Sequence, residues 1–497
     1  MRKVLVELLC TVALGAFANP ADDLLNRIDK GAAAKFKTVL VKSDKDFFEI
    51  DQARTRKGNS TSAASKSATG KNNPIIIRGN SWVNIAVGIN WYLKHHAGIH
   101  ISWNNMNVKL PAVLPVVKQK ERHETDLKLR YNFNYCTFSY TMAFWDWNRW
   151  QKEIDWMALH GINMSLAAVG TESVWRNMLL KLGYSEEEVG KFIAGPAFLA
   201  WWEMNNLEGW GGPLPLNWYK QQEALQKKIL ARMKEMGMKP VLPGYCGMVP
   251  HDAKQKLGLN VTDAGRWNSY QRPANLSPTD NRFAEIADLY YKELTRLYGK
   301  SDYYSMDPFH ESGNDAAVDY GKAGEALMSA MKRANPHAIW VVQGWNENPR
   351  PQMIANLKVG DLLVLDLFSE SRQNFEDFCT EDNTSGTGKK NFSTSKKEGI
   401  YGKHQWLFCL LENFGGNVGL HGRMDQLLNN FYLATGKKDT PKQENSSLLT
   451  LHSSLKGWGF TMEGSENNPV MFELMSELPW RAEKITKEDW IREYCYA

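Results

Sequence analysis

The sequence predicts an α/β chain built as a (β/α)8, TIM-like barrel preceded by a small α+β domain. Three observations point there. From about residue 130 onward, eight short apolar runs alternate with amphipathic helical stretches over roughly 340 residues, the rhythm of a parallel barrel. The preceding hundred or so residues lack that rhythm. The competing doubly wound sheet is missing its signals, since no G-x-G-x-x-G follows the first run and G-x-x-x-x-G-K-[ST] is absent.

In chain order, Arg2 and Lys3, the apolar stretch Val4 to Phe17 and the small-residue site Ala16-Phe17-Ala18 read as an export signal over 1–18, although Glu7 interrupts the apolar stretch. The alternative reading is an ordinary N-terminal helix. A small domain is expected over 19–122. Within it, residues 42–73 hold a Ser/Gly/Lys stretch typical of a loop. "PIIIRGNSWVNIAVGINWYLKHHAGIHISW" then reads as a strand, a Gly-Asn turn, a helix over Val83 to Leu93 and a second strand. The barrel is expected over 123–480, with strands at 131–138, 162–169, 239–246, 302–309, 338–345, 362–368, 404–411 and 455–462. Helices lie between them. Trp147, Trp150, Ile154 and Met157 share one face before the capping Gly161, as do Leu225, Ile229 and Met233, and Phe283, Ile286 and Tyr290. Residues 481–497 fall beyond the barrel.

Composition narrows the function. Of 497 residues, 43% are hydrophobic and 23% charged, ordinary for a globular protein, and the net charge of +5 is dispersed. Without a basic block interleaved with aromatics, nucleic acid is not an expected partner. No run reaches the length needed to span a bilayer. The cysteines (Cys10, Cys136, Cys246, Cys379, Cys409, Cys495) are scattered without C-x-x-C, and no H-E-x-x-H occurs, so neither a disulfide framework nor a metal site nor a cofactor is expected. The 19 Trp residues suit core filling first and sugar stacking second.

Barrel chemistry sits where strands end and βα loops begin. Those positions hold Asn134, Cys136, Glu172, Tyr245, His251, His310, Glu311, Trp345, Asn346, Glu347, Glu370, Glu412, Asn413 and Glu463. Carboxylates with aromatic walls are what glycosidic bond cleavage requires: one carboxylic acid protonates the leaving oxygen, and another carboxylate captures the oxocarbenium-like centre. "MDPFHESG" places Glu311 beyond strand four as the candidate acid/base, with Asp307 and His310 in support; a carboxylate at a helix N-terminus is the plainer alternative. Glu463, after the last strand, is the natural opposing carboxylate, and Glu172 and Glu370 are read as hydrogen-bonding supports. The absence of Asp-Glu and Asp-x-Glu removes the usual signature of acetamide-assisted hexosaminidases and favours two independent carboxylates.

The stretches "YNFNYCTFSYTMAFWDWNRWQKEIDWMALHGINMSLAAVGTESVW", "GPAFLAWWEMNNLEGWGGPLPLNW", "KPVLPGYCGMVP", "WVVQGWNENP", "LLVLDLFSES", "ENFGGNVGLHGRMD" and "TMEGSENNPVMFELMSELPWR" resemble the family 89 glycoside hydrolases, over essentially all of residues 75–497. The resemblance implies an exo-acting enzyme that releases terminal, non-reducing α-linked N-acetylglucosamine with retention. It implies Glu311 as acid/base, Glu463 as nucleophile, and Asn134, Cys136, Trp201 and Trp345 as pocket lining. His310 and Asn413 join them as candidate substrate contacts. It implies a carbohydrate substrate, while the leader read at 1–18 is what points to export (periplasmic, secreted or a lysosome-like compartment). It further implies a large helical third domain, of which residues 481–497 are only the start. The aglycone stays open among mucin-type caps, heparan-like chains and simple α-glycosides. A glycan-binding protein with an incomplete active site is the alternative function.

Overall fold

The computed structural model describes residues 19–52, 73–309, 311, 318–346, 348–372, 374–375, 401, 403–417, 419, 421–437 and 452–497. The expected export signal, His310 and Glu347 lie outside the described residues. Strands β1 (Phe36–Leu40), β2 (Asp46–Gln52), β3 (Ile75–Gly79) and β4 (Glu121–Thr125) form a small sheet in the order β1-β3-β2-β4, parallel only between β1 and β3. The apolar helix Trp82–His95 covers it, capped where Ser81 accepts the Asn84 N–H.

This sheet differs from the expectation in two places. Residues around 99–103 form no strand, only an isolated bridge between Ser102 and Asn105. Instead β2 arises inside the stretch read as a loop, where Phe47, Phe48 and Ile50 are buried. Its partner β4, "ERHET", runs past the expected boundary at 122. All five of its residues are polar, which conceals an edge strand from a hydrophobicity reading.

All eight expected barrel runs form strands. They are β5 (Leu129–Asn132), β6 (Met164–Leu166), β7 (Lys239–Pro243), then β13 (Tyr303–Ser305), β14 (Ile339–Gly344), β15 (Leu362–Asp366), β16 (Gln405–Leu410) and β17 (Leu455–Phe460). Between β7 and β13 lie five short strands of a long loop: β8 (Met248–Val249), β9 (Val261–Thr262), β10 (Arg266–Trp267), β11 (Tyr270–Gln271) and β12 (Ala274–Leu276). The eight barrel strands pair in parallel and close as β13-β14-β15-β16-β17-β5-β6-β7. They are buried on both faces, which is why they read as continuous apolar runs without alternation. The first strand is shorter than its apolar run. The chain leaves the sheet at Phe133 (φ 87°), and Asn134 caps a helix, Tyr135–Tyr140. Closure of the ring depends on Gly457, because a Cβ there would lie 1.7 Å from the Leu129 carbonyl oxygen.

Two buried polar clusters dock the small domain to the barrel. Arg130 on β5, fully buried, donates to Asp46 (2.6 Å), Asn84 (2.8 Å) and the Gly161 carbonyl. Lys94, at the end of the small domain's helix, is buried against Glu473 (3.2 Å) and Glu477 on the helix Pro469–Glu477. Burial alone would raise both carboxyls, but the Lys94 ammonium outweighs it and holds Glu473 well below the carboxylate range. The helix Lys487–Tyr496 joins this cluster through Trp490, whose indole N–H donates to Glu477 at 2.8 Å. Lys94→Met is expected to lower the unfolding free energy by about 3 kcal/mol, since it strands two buried carboxylates. The figure sits at the low end because Arg481 and the His160 ring still reach them. Denaturant titration measures it. Among the described residues no helix is long and apolar enough to cross a membrane.

Candidate active site

Backbone strain gathers at the C-terminal ends of the barrel strands. Of the eight non-glycine residues with positive φ among the described residues, six lie within six residues of a barrel strand end: Phe133, Phe309, Glu311, Asn346, Glu412 and Glu466. Each such conformation costs about 1–3 kcal/mol and persists only where the surroundings over-determine it. This face of the barrel is therefore built for something other than stability.

Glu311 (φ 46°) stands just beyond β13. The exit of that strand is held on all sides. The Tyr135 hydroxyl donates to the Ser305 carbonyl (2.8 Å), the Trp340 indole to the Met306 carbonyl (2.9 Å), and the Gln343 N–H to Asp307 Oδ1 (2.8 Å). Burial pushes the Asp307 carboxyl up to about 7, so this residue ties strand four to strand five as a low-charge brace. Glu311 itself accepts a hydrogen bond at Oε2 from Asn206 Nδ2 (2.9 Å), and its backbone carbonyl accepts from Arg272 (2.7 Å).

Glu463 follows β17, on the opposite side of the ring, with three strands between β13 and β17 either way round. The end of β17 is pinned by the first strand's loop: Asn134 Nδ2 donates to the Thr461 carbonyl (3.3 Å), and the Thr137 hydroxyl donates to that of Met462. The Glu463 carboxylate accepts the N–H of Gly415. That glycine belongs to the loop after β16, which Glu370 anchors by accepting the N–H groups of Leu411 (3.1 Å) and Glu412 (2.7 Å). The loops touch closely, since a Cβ on Gly464 would lie 2.8 Å from the Gly416 Cα. Burial, chiefly, raises the Glu463 carboxyl; the Gly415 N–H opposes it and the charge of Glu311 adds to it.

The charge of Glu311 acts on Glu463, and both charges act on Cys136. Its thiol is pushed well up by burial, then by Glu463 and by Glu311. Tyr140, at the end of the same short helix, also feels Glu463, and its ring meets Trp201 edge-on at 5.0 Å. On the other flank Trp345 packs with Leu367, Phe368 and Leu411 at the tops of β14, β15 and β16. Asn413 is half-buried in the loop that carries Gly415.

Several strand-end residues go elsewhere. Tyr245 is fully buried against Trp175, Phe283 and Tyr290, a core residue. Exposed His251 pairs with Glu208. Buried Glu172 accepts the Trp218 indole N–H (2.7 Å), and burial pushes its carboxyl up to about 7. Asn134 spends its side chain on the helix cap and on Thr461. Sequence reading missed Asn206 and Arg272, because neither follows a barrel strand directly. Asn206 comes from the segment after the helix Leu199–Glu203, and Arg272 from between β11 and β12. It also missed Glu412 as a strained position, where φ is 70° and burial pushes the carboxyl up to about 8.

Comparison with known proteins places this geometry. The family model described as the Alpha-N-acetylglucosaminidase (NAGLU) tim-barrel domain matches residues 130–482, and that of the N-terminal domain matches 19–116. The human Alpha-N-acetylglucosaminidase is 34% identical over 425 residues, which cover 82% of this chain and 53% of that protein. A family 89 glycoside hydrolase from Clostridium perfringens, in complex with 2-acetamido-1,2-dideoxynojirmycin, is similar at TM-score 0.82 and 31% identity, covering 96% of this chain and 50% of that one. A form of the Clostridium perfringens protein with two Glu-to-Gln substitutions, in complex with its substrate GlcNAc-alpha-1,4-galactose, matches at TM-score 0.80 and 32% identity, covering 96% and 49%. The chain spans about half the length of these relatives.

Proposed function

The chain belongs to the α-N-acetylglucosaminidase family, and from that premise we propose that it is an exo-acting, retaining glycoside hydrolase that releases terminal α-linked N-acetylglucosamine. The observation that carries this reading is the pair Glu311 and Glu463, which follow opposite strands at one mouth of the barrel. Two carboxylates so placed suit double displacement. A Glu463 carboxylate oxygen attacks the anomeric carbon from the β face. The bond to the leaving oxygen breaks, and that oxygen takes the Glu311 proton. Glu311, now ionised, removes a proton from water as the water oxygen attacks the same carbon. The ester to Glu463 breaks, and the sugar leaves with its α configuration restored.

The supporting parts follow. Trp201 and Trp345 offer ring faces for the apolar side of the sugar. Cys136 and Asn413 are the further proposed sugar contacts, and the leader read at 1–18 supports an exported protein. The named substrate of the Clostridium perfringens relative, GlcNAc-alpha-1,4-galactose, supports a galactose-terminated aglycone as a first substrate to try.

The test is hydrolysis of an aryl α-N-acetylglucosaminide beside its β anomer, with the product followed by NMR before mutarotation. Turnover of the α anomer alone, giving α-N-acetylglucosamine first, is expected. Turnover of the β anomer, or a β product, would overturn the reading. Sugar affinity without turnover would leave a glycan-binding module in its place.

A further inference from the structure

We propose that Asn206 and Arg272 form a positioning pair that holds Glu311 at two points and leaves Oε1 as the oxygen that carries the transferable proton. This rests on the acid/base reading of Glu311 given above. Asn206 is fully buried and Arg272 nearly so, at 3% exposure. Both reach the exit of strand four from outside the barrel's own strand ends. Neither is explained by the core, which has no need of a buried guanidinium.

The hydrogen bonds fix the chemistry. Arg272 Nη1 donates to Asn206 Oδ1 (3.2 Å) and to the Asn205 carbonyl (3.3 Å), while Nη2 donates to the Glu311 carbonyl (2.7 Å). A guanidinium only donates, so the atom of Asn206 facing it must be the amide oxygen. The amide nitrogen is thereby turned to Glu311 Oε2, at 2.9 Å. Flipping the amide would set donor against donor at Arg272 and bring an oxygen against Oε2. Oε2 therefore serves as the permanent acceptor. The proton that passes to the leaving oxygen sits on Oε1, and Oε1 takes the proton back from water in the second step.

The same arrangement explains how Glu311 keeps a positive φ of 46°. Arg272 grips its carbonyl and Asn206 its carboxyl, so the strained backbone and the side-chain direction are set together. Among the described residues, the charge of Glu311 acts on Arg272, Glu463 and Cys136. Asn206 adds a neutral donor to Glu311 Oε2.

Kinetics of Asn206→Ala, the near-isosteric Asn206→Asp and Arg272→Lys test the proposal, with Glu311→Gln as reference. For Asn206→Ala, kcat on an unactivated α-linked disaccharide should fall ~10²-fold, KM should stay within about 3-fold, and an activated aryl glycoside should lose less than ~10-fold. Asn206→Asp should fall further, as a carboxylate then faces a carboxylate. Arg272→Lys keeps the buried cation and serves only part of the fork's contacts, so it should show the same leaving-group signature at ~10-fold. Folded Asn206 variants with wild-type kcat and wild-type leaving-group dependence would overturn the pair. So would wild-type kinetics in Arg272→Lys, should the Asn206 variants fail to fold. If Glu311→Gln itself shows no preference for activated substrates, the acid/base reading has failed independently of Asn206.

Discussion

Glu463→Gln is expected to stop turnover of activated and unactivated α-N-acetylglucosaminides alike, by on the order of 10⁵-fold, about 7 kcal/mol of transition-state stabilisation. The loss is independent of leaving group because an amide does not attack the anomeric carbon, however easily the aglycone departs. The variant should still fold. A glutamine oxygen accepts the Gly415 N–H that Glu463 accepts now, and half of the site's bracing runs through Asn134 and Thr137, which do not touch the carboxylate. The sharper measurement is Glu463→Ala with azide. Azide entering the vacated space attacks the anomeric carbon of an aryl α-glycoside from the β face, expels the aryl oxide and yields the β-glycosyl azide. Recovery of that β product identifies Glu463 as the nucleophile, whereas an α-azide, or a variant that hydrolyses normally, would remove it from the role.

The barrel and its two carboxylates were readable from the sequence for a physical reason. Parallel strands covered on both faces must be apolar throughout, and "LLVLDLF" or "HQWLFCLL" can be little else. Titratable residues that end such runs are conspicuous, which is how Glu311 and Glu463 stood out. Two kinds of feature were hidden. The β4 strand "ERHET" is an edge strand with a charged exterior, so it carries no hydrophobic signal. The run beginning at Tyr131 was read as one strand although half of it is helix, because local capping by Asn134 overrides strand propensity after Phe133 turns the chain. Asn206 and Arg272 were hidden for a third reason. They arrive on long excursions, and only the folded chain reveals that residues 105 and 39 positions before Glu311 meet it. Glu370 was read as a support, and it braces the loop whose Gly415 holds the second carboxylate.

Glu311→Gln should separate substrates by their leaving groups. An unactivated disaccharide needs its departing oxygen protonated, so its kcat/KM should fall by ~10³ to 10⁴-fold; an aryl oxide of low pKa departs unaided, and its first step should lose less than ~10-fold. With the activated substrate the second step becomes slow, because no base remains to deprotonate water. The glycosyl-enzyme should then accumulate, and azide should release it as the α-glycosyl azide, the product opposite to that of Glu463→Ala. The pH profile adds an independent sign. Glu463 must be ionised to attack, so the rate falls as pH drops through its pKa. That pKa is raised mainly by burial and further by the Glu311 charge. The basic limb, which reports loss of the acid's proton, should vanish in the same variant. Equal losses on both substrates, or a basic limb that survives the substitution, would mean that the two glutamates do not share one cleft in the roles given to them.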